Sequence, residues 1–211
     1  MNLATLRAEG LTCRRGDQTL FEHLGFEVAA GELVWLRGHN GRGKTSLLRL
    51  LAGLARPDQG RITWDGVAIS EAPGFSAQRV YIAHANALKD DLNVFEALQF
   101  LAVLHGRDGS VAAVQDALHL LGMRKRQRAP IRTLSQGQRR RVALARLALE
   151  TSPSLWVLDE PFDALDVEGI DVVNGLLTRH LERGGSTVLT SHQPLTLAGV
   201  APRCLELVRA A

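Results

Sequence analysis

The sequence predicts an α/β fold: a mostly parallel sheet covered on both faces, with a helical segment inserted partway along the chain. Three observations predict it. Strand and helix patterns alternate from end to end, and the strand patterns are short continuous apolar runs of the kind a sheet buried on both faces uses. Between Ala83 and Ser152 the pattern is helical only. The expected organisation is one domain, with residues 1–83 and 153–211 forming the α/β core and residues 84–152 a helical subdomain.

In order, residues 24–28 and 33–36 read as strands, and residues 44–55 as a helix with Leu47, Leu48, Leu51 and Leu54 at helical spacing. Arg56-Pro57-Asp58-Gln59-Gly60 is a turn. Residues 61–64 and 80–82 follow as strands, then residues 94–105 and 111–121 as helices with apolar stripes. The core resumes with a strand at 155–158, a helix near 167–182, a Gly184-Gly185 turn and strands at 187–190 and 204–208.

Composition is that of a globular chain: 45% hydrophobic and 22% charged residues exclude disordered, collagen-like and coiled-coil classes. The net charge of +3 suits phosphate ligands, acidic lipid or nucleic acid and selects none of them. Cys13 and Cys204 form no C-x-x-C pair, so zinc-ribbon and haem-attachment motifs are absent and both read as idle thiols. The first residues lack a signal-peptide pattern, and no stretch approaches the ~20 apolar residues of a membrane span. The expected setting is a reducing cytoplasm.

Gly38-His39-Asn40-Gly41-Arg42-Gly43-Lys44-Thr45, running into Ser46, fits the phosphate-loop pattern G-x-x-x-x-G-K-[ST]. It lies after a strand and before a leucine-rich helix, as the chemistry needs. Glycines let main-chain N–H groups curl toward phosphate oxygens, and the helix N-terminus adds partial positive charge. Lys44 is expected to neutralise the β- and γ-phosphates of a nucleotide and Thr45 to hold Mg²⁺. A glycine-rich turn with a surface lysine is the bland alternative, and the strand and helix context argues against it. The apolar run 154–158 ends in Asp159 and Glu160. Alternation along a strand lets the two serve separate roles, Asp159 toward the metal and Glu160 toward the attacking water.

Thr133-Leu134-Ser135-Gln136-Gly137-Gln138, followed by a helical pattern at 139–146, resembles the L-S-G-G-Q signature of ATP-binding-cassette (ABC) ATPases, with Gln136 at a variable position. Ser135 would cap the helix, and its hydroxyl with the Gly137 N–H could bind a γ-phosphate. Ala164-Leu165-Asp166 resembles the family's loop against the opposing subunit, and His192, after Thr190-Ser191, its switch histidine. The resemblance covers residues 3–208. It implies a P-loop NTPase of the ABC type with a RecA-like core.

Two positions depart from the family pattern. The glutamine expected after the strand at 80–82 falls at Ala85, with Asn86 and His84 as flanking alternatives, or nothing at all. The aromatic that stacks on adenine is missing from the first twenty residues; Arg15 could stack through its guanidinium plane or simply be solvated.

The resemblance further implies a head-to-tail homodimer in which residues 38–45 of one copy and 135–138 of the other sandwich each ATP, with Lys44, Glu160 and His192 catalytic. Separate membrane-spanning subunits would dock beside residues 83–95, unless Leu88, Leu92 and Phe95 are core instead. The chain would then sit peripherally on the cytoplasmic side of the inner membrane. The segments 11–13, 49–57, 84–89, 139–146 and 159–162 are similar to the ATPases of cytochrome c maturation. That subgroup implies cytochrome c maturation membrane proteins as partners, and hydrolysis used to export haem or to release a haem-loaded chaperone. Soluble ABC ATPases acting on ribosomes or DNA usually carry two cassettes or a long insertion, which 211 residues do not accommodate. The basic run 124–128 has no interleaved aromatics and reads as a solvated turn rather than a nucleic-acid site.

Overall fold

A computed structural model describes residues 5–195, 197 and 199–208; the extreme ends of the two core ranges, residues 1–4 and 209–211, lie outside it. The strands are β1 (Leu6–Arg15), β2 (Gln18–Val28), β3 (Leu33–Arg37), β4 (Gln59–Trp64), β5 (Val67–Ala68), β6 (Arg79–Ile82), β7 (Leu155–Leu158), β8 (Ser186–Thr190) and β9 (Arg203–Glu206). The helices are α1 (Lys44–Leu51), α2 (Val94–Leu104), α3 (Val111–Leu120), α4 (Gln136–Ala148) and α5 (Val167–Glu182).

The parallel sheet has the order β6-β7-β8-β3-β9. Its central strands β7 and β8 are buried on both faces, and alternate side chains enter two different cores. Trp156 and Leu158 of β7 join the core shared with α2, α3, α4 and α5; Leu155 and Val157 join the core shared with α1 and the second sheet. That second sheet, order β2-β1-β4-β5, is antiparallel.

The hairpin of β1 and β2 is the main element that periodicity failed to reveal: sequence reading found only residues 24–28 of it. Sustained alternation of burial survives only over residues 24–28; in β1 it is broken by register shifts between Ala8 and Leu11 and again near Cys13. The signal left in the sequence is the Gly16-Asp17 loop, which joins the Arg15–Gln18 pair with Gly16 at φ 59°.

Helix α1 ends at Leu51, short of the expected Ala55. Gly53 takes φ 65°, Leu54 N donates to Arg49 O (2.9 Å) and Gly53 N to Leu50 O (2.9 Å), a Schellman stop. Leu54 is therefore outside the helix and 47% exposed, not part of its apolar stripe. Residues 83–152 carry helices and turns and no strand element, with α2, α3 and α4 packed on one another. Leu88, Leu92 and Phe95 are half-buried against this helical core. No helix among the described residues is long and apolar enough to cross a membrane.

Candidate active site

In a parallel sheet every strand points the same way, so the loops leaving the C-terminal ends of β3, β6, β7 and β8 all open on one rim. Those loops enclose a cavity of about 680 Å³ lined by Lys44, Thr45, Asp159, Glu160 and His192, with Asn40, Gly41, Gly43 and Ser46. Gly38, Gly41 and Gly43 have φ of 141°, 78° and 90°, conformations that a side chain would strain. Of the five α-helices among the described residues α1 alone has no side-chain cap, and its first turn has no acidic residue. Its first N–H groups and positive dipole end are thus left for an anion. The Lys44 ammonium folds back over its own loop, donating to Gly38 O (2.6 Å) and His39 O (3.3 Å).

Asp159 is held from two sides. Thr45 Oγ1 donates to its Oδ2 (2.9 Å) and Thr190 Oγ1 to its Oδ1 (2.9 Å). The Thr190 hydroxyl also accepts from Glu160 N at 2.9 Å. Glu160 has φ 49°, in the left-handed region that non-glycine residues avoid. Its carboxylate accepts from His192 N (2.9 Å), and the His192 ring Nε2 stands 3.5 Å from it. Burial pushes the Glu160 carboxyl above its usual range, with the nearby His192 and its N–H pulling the other way. The arrangement offers a proton acceptor, hydroxyl and carboxylate oxygens that suit a hard divalent cation, and donors for phosphate.

Ser135, Gly137 and Gln138 line a different cavity, of about 810 Å³, together with Arg141, Asp166 and the basic turn Arg124–Arg126. Ser135 caps α4, its Oγ accepting from Gln138 N (3.2 Å) while the Gln138 side chain accepts from Ser135 N (3.1 Å). The Ser135 hydroxyl proton has no acceptor among the described residues. Gln136 is the first helical residue, and Asp166 caps α5, accepting from Gly169 N (2.9 Å) and paired with Arg141.

In the loop after β6, His84 and Ala85 line the first cavity, and His84 Nδ1 lies 3.5 Å from Asp163 Oδ2. Asn86 instead accepts from Arg140 Nη1 through Oδ1 (3.1 Å). Arg15 lines the same cavity at its rim. Cys13 is buried and Cys204 exposed, both as free thiols. Sequence reasoning missed Thr190, Asp163 and Tyr81, which reach the site because β6, β7 and β8 are neighbours, and Arg49, which α1 brings to the same cavity. It also missed Arg140, although one signal was present: Arg140, Leu144 and Leu147 share the i, i+4, i+7 face that α4 buries.

The family model described as "ABC transporter" matches residues 21–163. The chain is 45% identical over 206 residues, 97% of its length and 100% of the relative, to the "Cytochrome c biogenesis ATP-binding export protein CcmA" of Nitrosospira multiformis. To the protein of the same name in Methylococcus capsulatus it is 46% identical over 94% of this chain and 96% of that one. A solved ATP-binding subunit of an ABC transporter superposes with a TM-score of 0.79 at 27% identity, over 89% of this chain and 79% of that one.

Proposed function

This chain belongs to the ABC transporter family and is an ATPase of that type, and we propose that it powers a membrane complex of cytochrome c biogenesis. It would export haem or release a haem-loaded chaperone, seated peripherally on the cytoplasmic side of the inner membrane beside separate membrane-spanning subunits. One observation carries the catalytic reading: Lys44, Thr45, Asp159, Glu160 and His192, from three separate loops, converge on one cavity.

In this reading the loop from Gly38 to Thr45, with His39, Asn40, Gly41, Arg42 and Gly43, wraps the phosphates in N–H donors, and Lys44 exchanges its two carbonyl partners for phosphate oxygens. Thr45 and Asp159, already 2.9 Å apart, are the oxygen donors that would hold Mg²⁺, which neutralises phosphate charge when bound. Glu160 accepts the proton of the attacking water. His192 fixes the Glu160 carboxylate through its N–H and brings its exposed ring to the γ-phosphate side. His84, which lines the cavity, takes the place of the missing glutamine, and Arg15 stacks on the base loosely enough that ATP and GTP turn over comparably. Ser135 and Gly137 serve the nucleotide of a second copy.

The test is genetic. A strain lacking this chain should lose haem-loaded c-type cytochromes while keeping the apoproteins, and regain them with the wild-type chain but not with Glu160→Gln. Normal cytochrome c in the deletion strain overturns the assignment.

A further inference from the structure

Arg140 is 2% exposed, yet its guanidinium hydrogen-bonds to no carboxylate among the described residues. Its five acceptors are neutral oxygens. Nη2 donates to Asp159 O (2.7 Å) and Glu160 O (2.7 Å), and Nε reaches Pro161 O (3.4 Å). Nη1 donates to Ala83 O (2.8 Å) and Asn86 Oδ1 (3.1 Å). A buried ion is expensive to desolvate, and a carboxylate partner is its usual compensation. Here the carboxylates of Asp159, Glu160 and Asp163 act on it only through space. What the fold gains is grip on one turn.

That turn is strained. Glu160 has φ 49°, and such a conformation persists only where its surroundings over-determine it. Asp159 N donates to Ile82 O (2.8 Å) and Glu160 N to Thr190 Oγ1 (2.9 Å), which fixes the two N–H groups. The carbonyls of the same two residues are both fixed by Arg140. The same guanidinium holds Ala83 and Asn86, which flank His84 and Ala85 on the cavity wall. Only the planar fork of arginine presents five donors in fixed directions; lysine offers three from one point.

We propose that Arg140 is a positioning residue for hydrolysis: it clamps the turn at Asp159–Glu160 so that the Glu160 carboxylate faces the nucleotide, and ties that turn to the loop after β6. The inference rests on the reading of Glu160 as the acceptor of the water proton. Its test is a mutant cycle in the intact membrane complex, with R140K and R140M each made alone and with E160Q. Steady-state kinetics on MgATP give kcat and KM, single-turnover kinetics the residual rate of E160Q, and thermal unfolding the integrity of each chain. The expected result is a loss of kcat of about tenfold or more with KM within about threefold, lysine failing to rescue. In the E160Q background the same substitutions change the residual rate by less than about twofold, because the group they position is gone. Unchanged kcat in a folded R140K or R140M chain overturns the proposal. So does an equal loss in the E160Q background, or a rise in KM alone. If R140M does not fold, R140K decides. Wild-type turnover by E160Q alone is a different failure: it removes the reading of Glu160 on which the inference stands.

Discussion

At the scale of single residues, Glu160 makes two measurable commitments. Burial stabilises its neutral form, so its carboxyl titrates above the ordinary 4.5. The proposed acceptor of the water proton must be ionised to act, so hydrolysis should fall with acidification earlier than an ordinary carboxylate would allow. A kcat profile against pH at saturating MgATP checks this; an acid limb at or below 4.5 contradicts it. Glu160→Gln should bind ATP normally and lose about a hundredfold or more in turnover, the scale of general base catalysis. Such residues were legible because their chemistry is local: the glycines and Lys44 are consecutive, as are Asp159 and Glu160, and each set abuts its own strand. Thr190 and Arg140 were not, because their roles exist only through partners thirty and nineteen or more positions away, once β7 and β8 lie side by side and α4 lies over the turn after β7.

Elements depend on what they exclude as much as on what they contact. A Cβ on Gly137 would lie 2.5 Å from Ala164 O, in the loop leading to Asp166. Gly137→Ala gains up to about 1 kcal/mol of helix propensity, but displacing packed backbone costs about 1–3 kcal/mol, so the clash wins. The variant should keep nucleotide binding, by fluorescent ATP titration, and lose at least about tenfold in turnover. At the turn after α5, Gly185 lies against the ring of His180, which stacks on Trp156 with centroids 3.8 Å apart. Burial pushes the His180 imidazole down to about 4. The folded state thus refuses a proton that the unfolded chain accepts below about 6.5, so stability is full near neutrality and drains as pH falls toward 4. The effect is roughly 3 kcal/mol over that window. Denaturant unfolding at pH 7 and near 4 should show wild type losing more than His180→Phe; parallel losses contradict this. None of this was visible in periodicity, which found the helix and the strand but not the ring between them. Periodicity also missed β1, whose register shifts break the alternation, and overran α1, because Gly53 inside a leucine-rich run resembles a tolerated helix glycine until its φ of 65° is known.

The whole molecule divides its anion-binding features between two cavities: Lys44 and the uncapped N-terminus of α1 in one, Ser135 and Gly137 in the other. A single copy therefore offers a nucleotide one set of donors at a time. Two copies related by a two-fold axis could place the first set of each against the second set of the other, giving two identical composite sites. Only a triphosphate would be long enough to engage both, so closure should depend on the γ-phosphate and end with its hydrolysis. The Glu160→Gln chain, unable to finish the reaction, should double its light-scattering mass in millimolar MgATP and remain monomeric in MgADP. Adding Ser135→Arg should abolish the doubling while leaving each copy able to bind ATP, since the new side chain blocks the far cavity and touches nothing in the near one. A Glu160→Gln, Ser135→Arg chain that still dimerises with ATP would place the seam elsewhere on the surface.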